Sequence, residues 1–231
     1  VYVTGAVGGL MAPPDNLFKG QDGRSLREGD FAYAEAYGRA VADLTTKALD
    51  HTQPVKLHPI SFHAQQISLP IENPLYRTAR LLGVLQRESL VWTGDFHDLK
   101  TPTTLVENNA YAARTEVACL RLGDLRIACI PGEIFPELVY GEFQQPVEPH
   151  ADYPKADLEP TVQEIMPTER WMLFGLANDE VGYIIPRRQW DQLPPFAYGR
   201  TKQQYGEINS CSYRAAPIMM QDLQECVEAV E

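Results

Sequence analysis

"TEVACLRLGDLRIACIPGEIFPEL", Thr115–Leu138, decides how the fold is read. Apolar and polar residues alternate up to Leu122 and again from Leu125 to Ile130, the period of strands with one buried face. Gly123 and Asp124 stand between the two runs, a pair suited to a tight hairpin turn. The stretch predicts two antiparallel strands and then a Pro131-Gly132 turn. A single carboxylate, Glu133, follows, ahead of an apolar segment that starts a helix with Pro136 in its first turn. A carboxylate at a helix start gains about 0.3–1 kcal/mol from the helix dipole. Taken alone, that is the plainer role for Glu133. Its position beyond a strand end is also where α/β proteins gather ligands.

Outward from this hairpin, the chain mixes both element types. "DFAYAEAYGRAVADLTTKALD", 30–50, reads as a helix with Asp30 at its N-cap. Its buried face is expected to carry Phe31, Ala34, Tyr37, Val41, Leu44 and Ala48. Residues 55–71 read as one or two strands, with Leu57, Ile60, Phe62 and Ile67 directed inward. Residues 75–86 read as a short amphipathic helix. A buried strand is expected over 170–178, an apolar run from Val181 to Pro186, and a closing helix in "PIMMQDLQECVEAVE". The opening "VYVTGAVGGL" reads as a buried strand running into a glycine turn. Residues 143–169, rich in proline and acid, read as a surface excursion or insertion. The fold class is therefore α/β, a mixed sheet with flanking helices. Residues 1–231 are read as a single domain or as the C-terminal portion of a larger catalytic domain. The chain opens on strand-like sequence with no initiator Met, so residues are expected upstream.

Composition excludes several classes. The 231 residues carry a net charge of −11, which argues against a nucleic-acid partner and against docking on an anionic membrane. No apolar run reaches the ~20 residues of a transmembrane helix, and no signal peptide is visible. Cys119, Cys129, Cys211 and Cys226 show no CxxC spacing, so a zinc–thiolate site is not expected. Cys119 and Cys129 lie on consecutive strands and could face each other, but buried free thiols are the simpler reading, and the disulfide state stays open. The five histidines show no HExxH spacing. His58 and His63 point to opposite faces of a regular strand. His97 has Asp95 and Asp98 nearby, read as a solvated loop.

Two further stretches concentrate polar groups at the ends of apolar runs. In "GLANDEVGYIIP" a turn at Asn178–Glu180 leads to Tyr183. In "YGEINSCSY", 205–213, two tyrosines, a Glu, an Asn and two serines surround one glycine. Each alone is explained as a turn, a core aromatic or a helix-capping loop.

Taken in order, "RIACIPGEIFPEL", "FGLANDEVGYIIPRRQWD" and "YGEINSCSY" resemble the neutral (alkaline, non-lysosomal) ceramidase family and its bacterial relatives. The opening "TGAVGGLMAPP" looks like a further loop of that family. The resemblance spans nearly the whole chain, as the second part of the catalytic domain. It implies a zinc-dependent amidohydrolase that cuts the N-acyl bond of a lipid amide. It implies Glu133 and Tyr183 as metal ligands, two further histidine ligands from an upstream segment, and Tyr205 as a substrate contact. Family members are commonly exported, which implies a secreted or periplasmic location. The chain departs from the pattern where the family places a serine: Gly8, Gly9, Leu10, Met11, Ala12 and Pro13 stand there. No catalytic residue is thereby assigned. A non-catalytic binding or interaction module on the same fold is the alternative, and so is a hydrolase acting on another amide or on an ester.

Overall fold

The structure, a computed structural model, describes residues 2–10, 16–20, 22–27, 29–101 and 110–231. It divides into two compact units, Val1–Gly9 with Lys56–Glu231, and Leu10–Val55.

The larger unit is built on the expected hairpin. Strand β3 (Tyr111–Leu122) turns at Gly123-Asp124 into β4 (Leu125–Ile130), with Leu122 opposite Leu125. Gly123 takes a φ of +58°, the left-handed backbone that a two-residue hairpin demands. The other edge of β3 carries β1 (Ile60–Pro70), antiparallel over its whole length, and β2 (Ser89–Val91) pairs with the start of β3. Beyond β4 lies β6 (Trp171–Gly175), the parallel member of this five-stranded sheet. A separate two-stranded ladder, β5 (Glu133–Ile134) with β7 (Tyr183–Ile184), is also parallel. Helices α2 (Pro74–Leu81), α3 (Glu137–Tyr140), α4 (Val162–Ile165), α5 (Tyr205–Ile208) and α6 (Ala215–Ala229) complete the unit. Mixed sheets with flanking helices make the class α/β, as the sequence implies.

Helix α6 packs along β1 and β3 and closes the core. Ile67, Leu69, Val117, Cys119, Ala128 and Ile130 are fully buried there, with Met219, Met220, Leu223 and Cys226 from the helix. Ser61 Oγ donates to Val230 O at 3.0 Å and Cys226 Sγ to Val117 O at 3.5 Å, tying helix to sheet.

The expected inward set of β1 needs correction. Ile67 is fully buried, but Leu57, Ile60 and Phe62 are 54%, 59% and 58% exposed. Leu57 precedes the strand, and for Ile60 and Phe62 the reason is parity. Side chains alternate across a strand, so Ile60 and Phe62 face away from the side that Ile67 shares with α6. The expected strand at the N-terminus is not formed either. Tyr2–Gly8 is an irregular segment, bonded where Gly175 N donates to Thr4 O (2.8 Å) and Gly8 N to Ile134 O (2.9 Å). The glycine turn after it is present at Gly8-Gly9. Within 143–169, Val162 and Met166 belong to the main core, and Thr161 and Glu164 form a reciprocal capping box on α4. All four cysteines are free. Cys119 stands opposite Ala128 and Cys129 opposite Ala118, so the two thiols point to opposite faces.

In the smaller unit, α1 (Phe31–Leu49) begins at Asp30, whose side chain makes no capping bond. Phe18 packs edge-on against Tyr33 and Tyr37, with ring centroids 5.6 and 6.2 Å away. The expected buried face is contradicted: Tyr33 is the buried residue of α1, whereas Phe31 is 96% and Leu44 67% exposed. Amphipathic spacing announces which face could be covered, not that something covers it. The loop position where the family serine is expected, at Met11 or Ala12, lies outside the described residues. Among the described residues, no helix is long and apolar enough to cross a membrane.

Candidate functional site

Two turns interlock to make the site. β4 ends at Ile130 and continues through Pro131-Gly132 into β5, while β6 ends at Gly175 and continues through Leu176–Gly182 into β7. Backbone bonds zip the turns together: Ala177 N donates to Ile130 O (2.9 Å), Val181 N to Pro131 O (3.0 Å) and Glu133 N to Gly182 O (3.1 Å). The sharp path of the second turn shows in positive φ at Leu176 (+55°), Asn178 (+64°) and Gly182 (+91°). Gly132 is required because a Cβ there would lie 2.6 Å from Gly182 O. Packing of this kind, rather than a helix-start role, explains why β5 begins at Glu133.

In the resulting ladder Glu133 and Tyr183 are direct partners. Partner residues in a ladder project to the same face, so the carboxylate and the phenol emerge together. A third segment holds β7 from its other side: Tyr183 N donates to Asn209 O (3.0 Å) and Ser210 Oγ to Tyr183 O (2.7 Å). That segment begins with α5, which puts the Tyr205 ring 5.9 Å from the Tyr183 ring in an edge-to-face arrangement.

Glu133, Tyr183 and Tyr205 line one cavity of about 510 Å³. Tyr76, Arg80, Arg87, Glu180 and Cys211 join them, with Ile71, Leu85 and Val181 as apolar wall. A larger hollow of about 810 Å³ beside Trp171 offers no comparable donor set. The cavity is electrostatically tense. Burial first, then the charge and hydrogen-bonding pull of Glu133, push the Tyr183 phenol up to about 12. Burial, with Cys211, Glu180 and Tyr205 beyond it, does the same to Tyr76. Burial also raises Glu180, reinforced by Glu133 and Asp179. Arg87 is neutralised by an ion pair with Asp179, which also accepts from Thr115 Oγ1 at 2.8 Å, and Arg80 lies over the Tyr111 ring at 5.7 Å.

The sequence singles out Glu133, Tyr183 and Tyr205, and the fold brings all three into this cavity. It does not single out Tyr76 or Glu180, nor Asn73, which fastens the start of α2, and with it Tyr76, to the 208–210 segment. Asn73 caps α2 through Leu75 N (2.8 Å) and donates to the carbonyls of Ile208 and Ser210, both at 2.8 Å. An Asn-Pro pair before a helical run signals the cap; nothing local signals the second partner. None of the described histidines lines the cavity. His97 is not simply solvated beside Asp95 and Asp98. Asp98 pairs with Lys100 at 2.8 Å, and the His97 imidazole lies 3.2 Å from Glu225.

No protein-family model matches the chain, and no curated protein matches it. Among solved structures, the neutral ceramidase of Pseudomonas aeruginosa aligns at 10% identity and a TM-score of 0.33, over 73% of this chain and 28% of that one. A ceramidase complexed with C2 aligns at 12% and 0.32, over 74% and 31%. The chain spans less than a third of the length of either. Likeness at this level fixes neither family nor activity for this chain.

Proposed function

We propose that the cavity is part of a zinc-dependent amidohydrolase site of the ceramidase kind, acting on an N-acyl lipid amide, within the C-terminal portion of a larger catalytic domain. One observation carries the reading. Glu133 and Tyr183, from separate turns, are ladder partners that line one cavity beside Tyr205. The donor chemistry fits zinc in part: a carboxylate and a phenol are oxygen ligands, and Glu180 is a third oxygen source close by. The nitrogen ligands belong, on this reading, to two histidines of an upstream segment. Bound zinc would polarise the amide carbonyl and acidify a water molecule.

The chain's own residues divide the remaining work. Glu133 and Tyr183 would hold the cation, and its charge would favour the phenolate that burial opposes. Tyr76, kept protonated by its surroundings, has a hydroxyl proton to offer a substrate in the cavity. Tyr205, half exposed at the rim, offers an aromatic face to the substrate, and Ile71, Leu85 and Val181 accept alkyl groups. A binding module that holds the amide without cutting it is the second reading, favoured by Met11 and Ala12 where the family has its serine.

Release of fatty acid from N-acyl lipids and from simple linear amides, with and without zinc, tests both. Zinc-dependent turnover is expected, cut about a hundred-fold or more by Glu133→Gln and by Tyr183→Phe. Saturable amide binding without turnover establishes the module instead. Neither binding nor turnover, in a protein whose zinc affinity ignores Glu133→Gln, overturns the assignment.

A further inference from the structure

A second group of metal-binding side chains lies on the α6 side of the sheet and shares no residue with the cavity. Asp222 of α6 is fully buried, yet neither of its carboxylate oxygens has a hydrogen-bond partner among the described residues. Burying an unpaired carboxylate costs several kcal/mol, so an orphan of this kind calls for an explanation. One turn further along the helix, Glu225 presents a second carboxylate on the same face. Across from them stands His97, whose Nε2 lies 3.2 Å from Glu225 Oε2. One ligand atom from each of the three residues falls within 4.8 Å of the others.

The imidazole is held in place. Phe96 O accepts from Ser68 N at 2.7 Å, the Phe96 ring packs against the core, and it stacks on His97 with centroids 4.2 Å apart. His97 N donates to Asp95 Oδ1 at 2.9 Å. The Gln65 amide nitrogen Nε2 sits 3.1 Å from His97 Nδ1, while its oxygen faces His63 Nε2 at 3.4 Å. Turning that amide over, so that its oxygen accepts from Nδ1–H, frees the Nε2 lone pair for a cation, the usual support for a ligating histidine.

We propose that Asp222, Glu225 and His97 form a structural site for a divalent transition-metal cation, zinc foremost, clipping the 92–98 segment to α6. One nitrogen and two carboxylates suit zinc, whereas calcium takes six to eight oxygens. Ligand atoms about 2.0–2.2 Å from a tetrahedral ion are about 3.4 Å from one another, close to the observed His97–Glu225 separation. Glu225 and His97 are partly exposed, so a water molecule completes the shell. The cation gives the buried Asp222 carboxylate the partner that none of the described residues supplies.

The test uses the full chain carrying Glu133→Gln and Tyr183→Phe, stripped of metal, so that the cavity contributes nothing. Titration calorimetry with zinc chloride should show one saturable site. Zinc at a hundred-fold excess over Kd should raise Tm by several degrees. Asp222→Asn and His97→Gln should each abolish both effects. His97 lies at the surface, so His97→Gln keeps the test decisive if the Asp222 variant fails to fold. If the double variant fails to fold, loss of one zinc equivalent from the otherwise unaltered chain on His97→Gln gives the same reading. Zinc binding that is absent, or that survives His97→Gln undiminished, overturns the site. Failure here leaves the Glu133 reading intact, since that reading is scored by Glu133→Gln.

Discussion

At the scale of single residues, Gly182 decides whether the cavity forms. Its φ of +91° and an added Cβ only 2.0 Å from Asn209 O leave no room for a side chain. The left-handed backbone alone costs a non-glycine residue about 1–2 kcal/mol, and a clash with main chain adds to it. Gly182→Ala is expected to lower stability by more than about 2 kcal/mol in urea unfolding, and to displace Asn209 from the Tyr183 amide. An unchanged midpoint would show that the turn relaxes freely. Legibility at this scale was uneven. Glu133, Tyr183 and Tyr205 were marked by the family resemblance, since local pattern alone read them as a helix-start acid, a core aromatic and part of a helix-capping loop. Tyr76 and Glu180 were not, because one is an ordinary position on a short helix and the other an ordinary turn acid. His97 was paired by proximity in sequence with Asp95 and Asp98, whereas its partner Glu225 lies on the last helix, beyond any local pattern.

Among the elements, the β3–β4 hairpin was plain in sequence because Gly-Asp is a turn with its own backbone requirement. Strand β1 was visible as a strand, but its faces were misassigned. Ile60 and Phe62 share a parity with polar Gln66, and Ile67 shares one with Leu69; only contact with α6 determines which parity is inside. Two isoleucines of this strand therefore behave differently. Ile67→Ala is expected to cost about 2–5 kcal/mol, since it opens a cavity in a fully buried site. Ile60→Thr, at 59% exposure, is expected to stay within about 0.5 kcal/mol. Equal losses from chemical denaturation would mean that both faces of the sheet are covered in solution. The two-residue strands β5 and β7 were not legible as strands at all. They are too short to show a period and exist because two turns are zipped together.

For the molecule as a whole, acidity is the governing property, and one buried acid makes it measurable. Burial raises Glu207 to about 7, partly offset by the hydrogen bond it accepts from Asp191 N. A folded-state pKa above the unfolded value of about 4.3 means that protonation favours folding. The contribution is fully present below that unfolded value and is lost as pH rises through 7. Glu207→Gln should therefore match the parent near pH 4 and gain on it, by about 3–4 kcal/mol, by pH 8. A constant offset between the two stability curves would refute the buried-acid account. A last consequence concerns length rather than charge. Because Glu133 meets Tyr183 in a ladder only two residues long, one residue added to or removed from the Leu176–Gly182 connection would slide a glycine or an isoleucine into the phenol's berth. Sequence drift in that connection is thus quantised: substitutions before Gly182 keep the register, while any change in count switches the acid–phenol pair off in a single step.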